Sequence, residues 1–157
     1  MRHRLPCCWH LYRPQGVFQA TLRVALRHPL LFLKANLLMS MLPLFSTPEL
    51  AQETLFSADM PVAKVMEYSA RLQDESYRAF LDMAGMGLPR PERVKTPILV
   101  LGAAGDRLVS TQKVDATARA YHTRAEIFPD MAHDMMLEAG WQAVADRILA
   151  WFYDRGL

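Results

Sequence analysis

The fold is decided by the stretch Pro97-Ile-Leu-Val-Leu-Gly-Ala-Ala-Gly-Asp106. Its first five residues, 97–101, form a continuous apolar run bounded by Pro and Gly, which is typical of a strand buried on both faces of a parallel sheet. Residues 110–121 then have helical spacing, residues 124–128 form a second short strand, and residues 141–153 form a closing amphipathic helix. Strand, helix, strand, helix predicts an α/β fold with a parallel sheet.

The chain before this stretch predicts a string of short helices and no strand. Residues 17–28 have an amphipathic pattern that Pro29 ends. Further helices are expected over 30–42, from the capping segment 46–49 to about Phe56, from 59–61 to Ser69, and over 74–84. Residues 89–96 are rich in proline and charge and predict a linker.

Two residues that follow the predicted strands could carry chemistry. Asp106 ends the first segment, and His133 lies in Phe128-Pro-Asp-Met-Ala-His133-Asp after the second. The carboxyl ends of parallel strands meet at one edge of a sheet, so we expect the two side chains to lie together. Taken singly, Asp106 could be an ordinary turn residue and His133 a surface histidine. Their joint occurrence at adjacent predicted strand ends makes them candidates for a shared site.

With these segments in view, the chain resembles the C-terminal half of the α/β-hydrolase superfamily, in particular the bacterial lipase, lysophospholipase and serine aminopeptidase-like group. The resemblance is carried by Ile98–Asp106 and by Met131-Ala-His133-Asp-Met-Met-Leu-Glu138, followed by Trp141. It implies a partial α/β-hydrolase fold, a helical cap followed by the last strand-helix-strand-helix of a parallel sheet. It also implies Asp106 as the orienting acid and His133 as the general base of a serine hydrolase acting on esters, with no metal or organic cofactor.

The same resemblance divides the chain into four parts: an unmatched segment over 1–14, a helical cap or lid over 15–88, a linker over 89–96 and the C-terminal core over 97–157. The cap would cover a small apolar ester or acyl substrate. Residues expected to contact that substrate are Leu31, Phe32, Leu38 and Met39. Ordinary packing between helices is the alternative for most of these side chains. A membrane-surface helix is a further alternative, because Arg23, Arg27 and Lys34 lie beside the same apolar stretch.

A nucleophile is the missing part of the expected triad. The chain contains no Gly-x-Ser-x-Gly turn, and its serines lie in or beside predicted helices and caps. We therefore expect a truncated hydrolase that is inactive alone and needs an N-terminal half. A hypothesis for its origin is a one-base slip just before Gln15, since a shifted frame through residues 6–14 allows Leu-Leu-Ala-Ser-Val-Pro-Pro, which looks like a strand of that family.

The composition of the chain limits the classes of function that it could have. A chain of 157 residues with 52% hydrophobic residues, 22% charged residues and a net charge of +2 predicts one globular domain and gives no case for nucleic acid. The adjacent Cys7 and Cys8 favour a reducing cytoplasm over a disulfide scaffold, and they lack the spacing for a metal site with His3 and His10. The apolar stretch 29–45 is too short and interrupted to span a bilayer. Alternatives to the hydrolase are a non-catalytic module that binds an acyl ligand or partner, and a gene remnant without function alone.

Overall fold

The computed structural model describes residues 18–156, with side chains from residue 21 onward. The unmatched segment 1–14, with Cys7 and Cys8, lies outside the described residues. Helices occupy the first part of the described chain and a two-stranded parallel sheet with its helices occupies the last part, so the fold class is α/β. None of the described helices is both long and apolar enough to cross a membrane.

The helical part begins close to where the sequence pattern places it. Its helices are α1 (Phe18–Arg27), α2 (Pro29–Leu38), α3 (Pro48–Leu55), α4 (Val62–Ser69) and α5 (Tyr77–Leu81), with 3₁₀ turns at Leu42–Phe45 and Pro91–Arg93 and a π-helical turn at Asp82–Met86. The Thr47 hydroxyl caps α3 by accepting a hydrogen bond from the Leu50 amide at 3.3 Å. The prediction that the second helix reaches residue 42 was wrong. Met39 adopts a left-handed conformation, with φ of 48°, and thereby ends α2.

The sheet consists of β1 (Val100–Ala103) and β2 (Ala125–Phe128), which run parallel with Val100 opposite Ala125 and Ala103 opposite Phe128. The first strand was predicted over 97–101, so its bounds were wrong: it starts later and continues through Gly102. A Cβ on Gly102 would lie 2.8 Å from a methyl group of Val114. This glycine therefore lets the following helix, α6 (Thr111–Ala120), pack close to the strand and does not end it.

Three apolar clusters hold these elements together. The first joins the helical part to the loops after the strands: its buried residues are Ala51, Leu55, Phe56, Met60 and Val65, and Leu108 and Leu137 pack against them. The second joins β1 to α6 through Val100, Val109, Val114 and Ala118. The third joins β1 to α7 (Trp141–Tyr153) through Ala103, Met131 and Val144. Leu149, on the other side of α7, is exposed.

Candidate active site

Asp106 is held in place by the turn that follows β1. The Ala104 amide donates to the Phe128 carbonyl oxygen and the Gly105 amide donates to the Met131 carbonyl oxygen, both at 2.9 Å, which extends the contact between the two strands into their loops. The Oδ1 atom of Asp106 accepts hydrogen bonds from the amides of Leu108 at 2.7 Å and Val109 at 2.8 Å. One carboxylate oxygen is thus fixed by the backbone, which sets the direction of the other.

His133 lies against that second oxygen. Its Nδ1 atom is 2.9 Å from Oδ2 of Asp106, and the two side chains are 21% and 9% exposed. The structure therefore brings together the two residues that the sequence predicts as acid and base. Since Nδ1 contacts the carboxylate, Nε2 is the ring nitrogen that can take up a proton from another group.

The surroundings of His133 act on its pKa in opposite directions. Burial lowers the pKa of His133, whereas the hydrogen bond to Asp106 and the negative charges of Asp106, Asp134 and Glu75 raise it, so that the net change is upward. For the neighbouring Asp134, burial raises the pKa of the carboxyl group and the charge of His133 lowers it, while the charges of Asp106, Glu138 and Glu75 raise it, so that the net change is upward. The site thus favours the protonated imidazole, the form that a general base must reach during proton transfer.

Glu138 is a site residue that the sequence analysis quoted but gave no role. Its side chain is 3% exposed. The Oε1 atom accepts a hydrogen bond from the Ser57 amide at 2.7 Å, and Oε2 accepts one from the Ser57 hydroxyl at 2.6 Å. Ser57 and Glu138 are 81 residues apart, so no local pattern could pair them. The available signal was a carboxylate directly after the apolar run 135–137, in the segment that also carries His133.

Serine hydroxyls of the described chain have structural partners at several positions. The Ser46 hydroxyl donates to the Pro43 carbonyl oxygen, the Ser57 hydroxyl donates to Glu138, and the Ser76 hydroxyl accepts from the Ala79 amide. These are turn, loop and cap interactions. They assign a structural contact to these three serines, and the absence of a nucleophile stays a prediction.

The four residues predicted to contact substrate lie on α2 and at its end. Leu31 and Phe32 are partly buried, whereas Leu38 and Met39 are 58% and 70% exposed. A shallow open pocket of about 280 Å³ lies elsewhere, beside α3 and the Asp106 loop, and is lined by Glu49, Gln52, Glu53, Ala58 and Arg107. The structure does not place the four predicted residues in that pocket, and their contact with substrate stays a prediction.

Among residues 18–156, no three His, Cys, Asp or Glu side chains are arranged to hold a metal ion.

The Arg107 guanidinium, next to Asp106 in sequence, donates to the Glu53 carbonyl oxygen at 3.1 Å and so ties the Asp106 loop to α3.

A scan against protein-family models finds no match to this chain, and a search of curated proteins finds no similar sequence.

Proposed function

We propose that Asp106 and His133 are the acid and the base of a serine hydrolase of the α/β-hydrolase type, which cleaves carboxylic esters of small apolar substrates. The observation that carries this proposal is the 2.9 Å contact between His133 Nδ1 and Asp106 Oδ2, with Oδ1 held by two backbone amides. The parallel strands that precede these residues, and the helices that precede the strands, fit a cap followed by the last part of a hydrolase core.

In the proposed reaction, each residue has one task. Asp106 fixes the ring orientation and stabilises the imidazolium. His133 Nε2 takes the proton of a serine hydroxyl as that oxygen attacks the ester carbonyl carbon, and it then gives the proton to the departing alcohol. Water repeats the sequence on the acyl-serine, which releases the acid and restores the serine.

A segment that is not part of this chain would supply the serine and the oxyanion donors. The chain has no Gly-x-Ser-x-Gly turn to supply them itself. Two features of the described residues would accommodate such a segment. β1 pairs only with β2 there, so its other edge can accept a strand, and the surface of α1 and α2 carries exposed leucines, among them Leu26, Leu30 and Leu37.

The substrate class follows from the apolar helical part. A cap that presents leucine and methionine side chains favours an acyl chain or an aryl group over a charged substrate, and Leu31, Phe32, Leu38 and Met39 are the proposed contacts. The chemistry requires neither a metal nor an organic cofactor. The two adjacent cysteines suit a reducing compartment, so the proposed location is the cytoplasm.

The test is an esterase assay in which the chain is joined to, or co-expressed with, the nucleophile-bearing segment encoded upstream of it. Hydrolysis of p-nitrophenyl butyrate should appear only in the combined protein. Asp106→Asn and His133→Gln should each reduce it by ~10³-fold or more. Glu126→Gln is the matched control, because it breaks only a part-exposed ion pair with Arg147. Activity that is unaffected by His133→Gln would refute the proposed role.

A second candidate function is a non-catalytic module that binds an acyl ligand or a protein partner. The exposed leucines of α1 and α2 favour it, because large exposed apolar surfaces commonly mark binding sites. This candidate predicts that a fatty acid or acyl ester raises the unfolding temperature of the chain without being consumed. Turnover of the ester, or no thermal shift with either ligand, would rule it out.

A further inference from the structure

The helical part contacts the His133 loop at two polar points that lie close together in sequence. At the first, Ser57 donates two hydrogen bonds to the Glu138 carboxylate. At the second, the Asp134 amide donates to the Leu55 carbonyl oxygen at 3.0 Å. On the side of the loop, one contact lies at Asp134, directly after His133, and the other lies at Glu138. The end of α3 and the residues just after it are therefore hydrogen-bonded to both ends of the segment 134–138.

Because Glu138 is buried, the contact between Ser57 and Glu138 tolerates little movement. A carboxylate that is 3% exposed is costly to bury unless hydrogen bonds compensate for lost water, and here the amide and hydroxyl of one residue serve both oxygens. Any movement of the loop away from α3 would leave Glu138 without these donors in an apolar setting. Its neighbour Leu137 adds to this restraint, because it packs against the first apolar cluster. The loop is thus held by a penalty for displacement as well as by attraction.

We propose that Ser57 and Glu138 are positioning residues that hold the His133 loop at the distance at which the imidazole meets Asp106. This inference rests on the proposed function, in which Asp106 is the acid and His133 is the base. Neither Ser57 nor Glu138 takes part in proton transfer. They act through the loop, so that docking of the helical part and assembly of the pair are one event.

The test is a pH titration of the His133 imidazole in the full chain, monitored by NMR with labelled histidine. The variant His133→Gln identifies the signal of His133. Ser57→Ala is the decisive variant, since it removes one donor to Glu138 and leaves every charge in place. Because contact with Asp106 raises the pKa of His133, a loosened loop should shift that pKa downward. The proton on Nδ1 should also exchange faster with water. Glu138→Gln should give the same changes.

Controls separate positioning from a general loss of structure. Ser57→Thr keeps the hydroxyl and should retain the wild-type titration, and so should Glu126→Gln, which alters an ion pair on β2. If Ser57→Ala and Glu138→Gln fold, as judged by circular dichroism, and leave the pKa of His133 and its Nδ1 proton unchanged, the positioning role is overturned. If Glu138→Gln does not fold, Ser57→Ala decides.

The variant Asp106→Asn distinguishes failure of the positioning role from failure of the proposed function on which it rests. A downward shift of the pKa of His133 in Asp106→Asn, without any shift in Ser57→Ala, would leave the acid–base pair standing and refute only the positioning role. If Asp106→Asn itself causes no shift, there is no functional pair to position, and both proposals fail.

Discussion

Gly105 lies at a close approach between the Asp106 loop and the His133 loop, and it offers a sharp test of how these two residues are brought together. A Cβ atom on this residue would lie 2.8 Å from the carbonyl oxygen of Met131, and the Gly105 amide donates a hydrogen bond to that same oxygen. The obstacle is backbone, and the Met131 side chain is itself buried in the third cluster. Gly105→Ala must therefore push the loop that carries His133 away from the loop that carries Asp106.

The expected cost follows from this close approach. Overpacking a well-filled site typically costs about 1–3 kcal/mol of the free energy of unfolding. For a chain of this size, that corresponds to a fall in the unfolding temperature of about 2–12 °C, at about 2–4 °C per kcal/mol. Because the loops separate, the hydrogen bond between Asp106 and His133 should weaken, and the pKa of His133 should fall from its raised value. Both changes are measurable in one preparation.

Gly140→Ala is the matched control. Its added Cβ would lie 2.7 Å from the terminal methyl group of Met131, which is the end of a flexible side chain and can move aside. Urea unfolding followed by tryptophan fluorescence, together with NMR titration of His133, should show a clear loss for Gly105→Ala and little change for Gly140→Ala. Equal unfolding midpoints and equal titrations for the two variants would refute the reasoning.

Three further results are expected. The folded state raises the pKa of His133 above the ordinary 6.5, so the stabilising contribution of His133 is complete below that value and is lost as pH rises through the folded pKa. The difference in unfolding free energy between wild type and His133→Gln should therefore shrink over that pH range. A difference that is independent of pH would contradict this. We expect the exposed leucines of α2 to make the chain associate as its concentration rises; Leu33→Glu combined with Leu37→Glu should reduce this association in sedimentation experiments, whereas Val62→Gln, at an exposed site on α4, should not, and equal association of the two variants would count against it. Thr47→Ala should lower the free energy of unfolding by about 0.5–2 kcal/mol in urea titrations through loss of the cap of α3, and an unchanged midpoint would count against that cap.

Much of the fold could be predicted because its signals are local. The period of apolar residues gives α1 and α7, proline and hydroxyl residues give the start of α3, and two apolar runs separated by a helix give the parallel strands. Asp106 and His133 could be paired in advance because they lie in the loops after two adjacent predicted strands and match the order of acid and base in the family that the chain resembles.

What the sequence did not predict depends on contacts between distant residues. Gly102 resembles a strand end, yet it lies inside β1 because Val114 packs against it from another element. The hydrogen bonds between Ser57 and Glu138 join residues 81 positions apart. In α4, Val62, Val65 and Met66 have the spacing of one helical face, but only Val65 is buried, because spacing identifies a face and not the width of its contact.

We propose that this chain carries the acid and the base of a serine hydrolase whose nucleophile would lie on a segment outside it. The most direct measurement is the nucleotide sequence through the codon for Gln15 and several hundred bases upstream. We expect another reading frame there to encode an apolar strand followed by a Gly-x-Ser-x-Gly turn. An upstream region that encodes no such turn in any frame would contradict the claim.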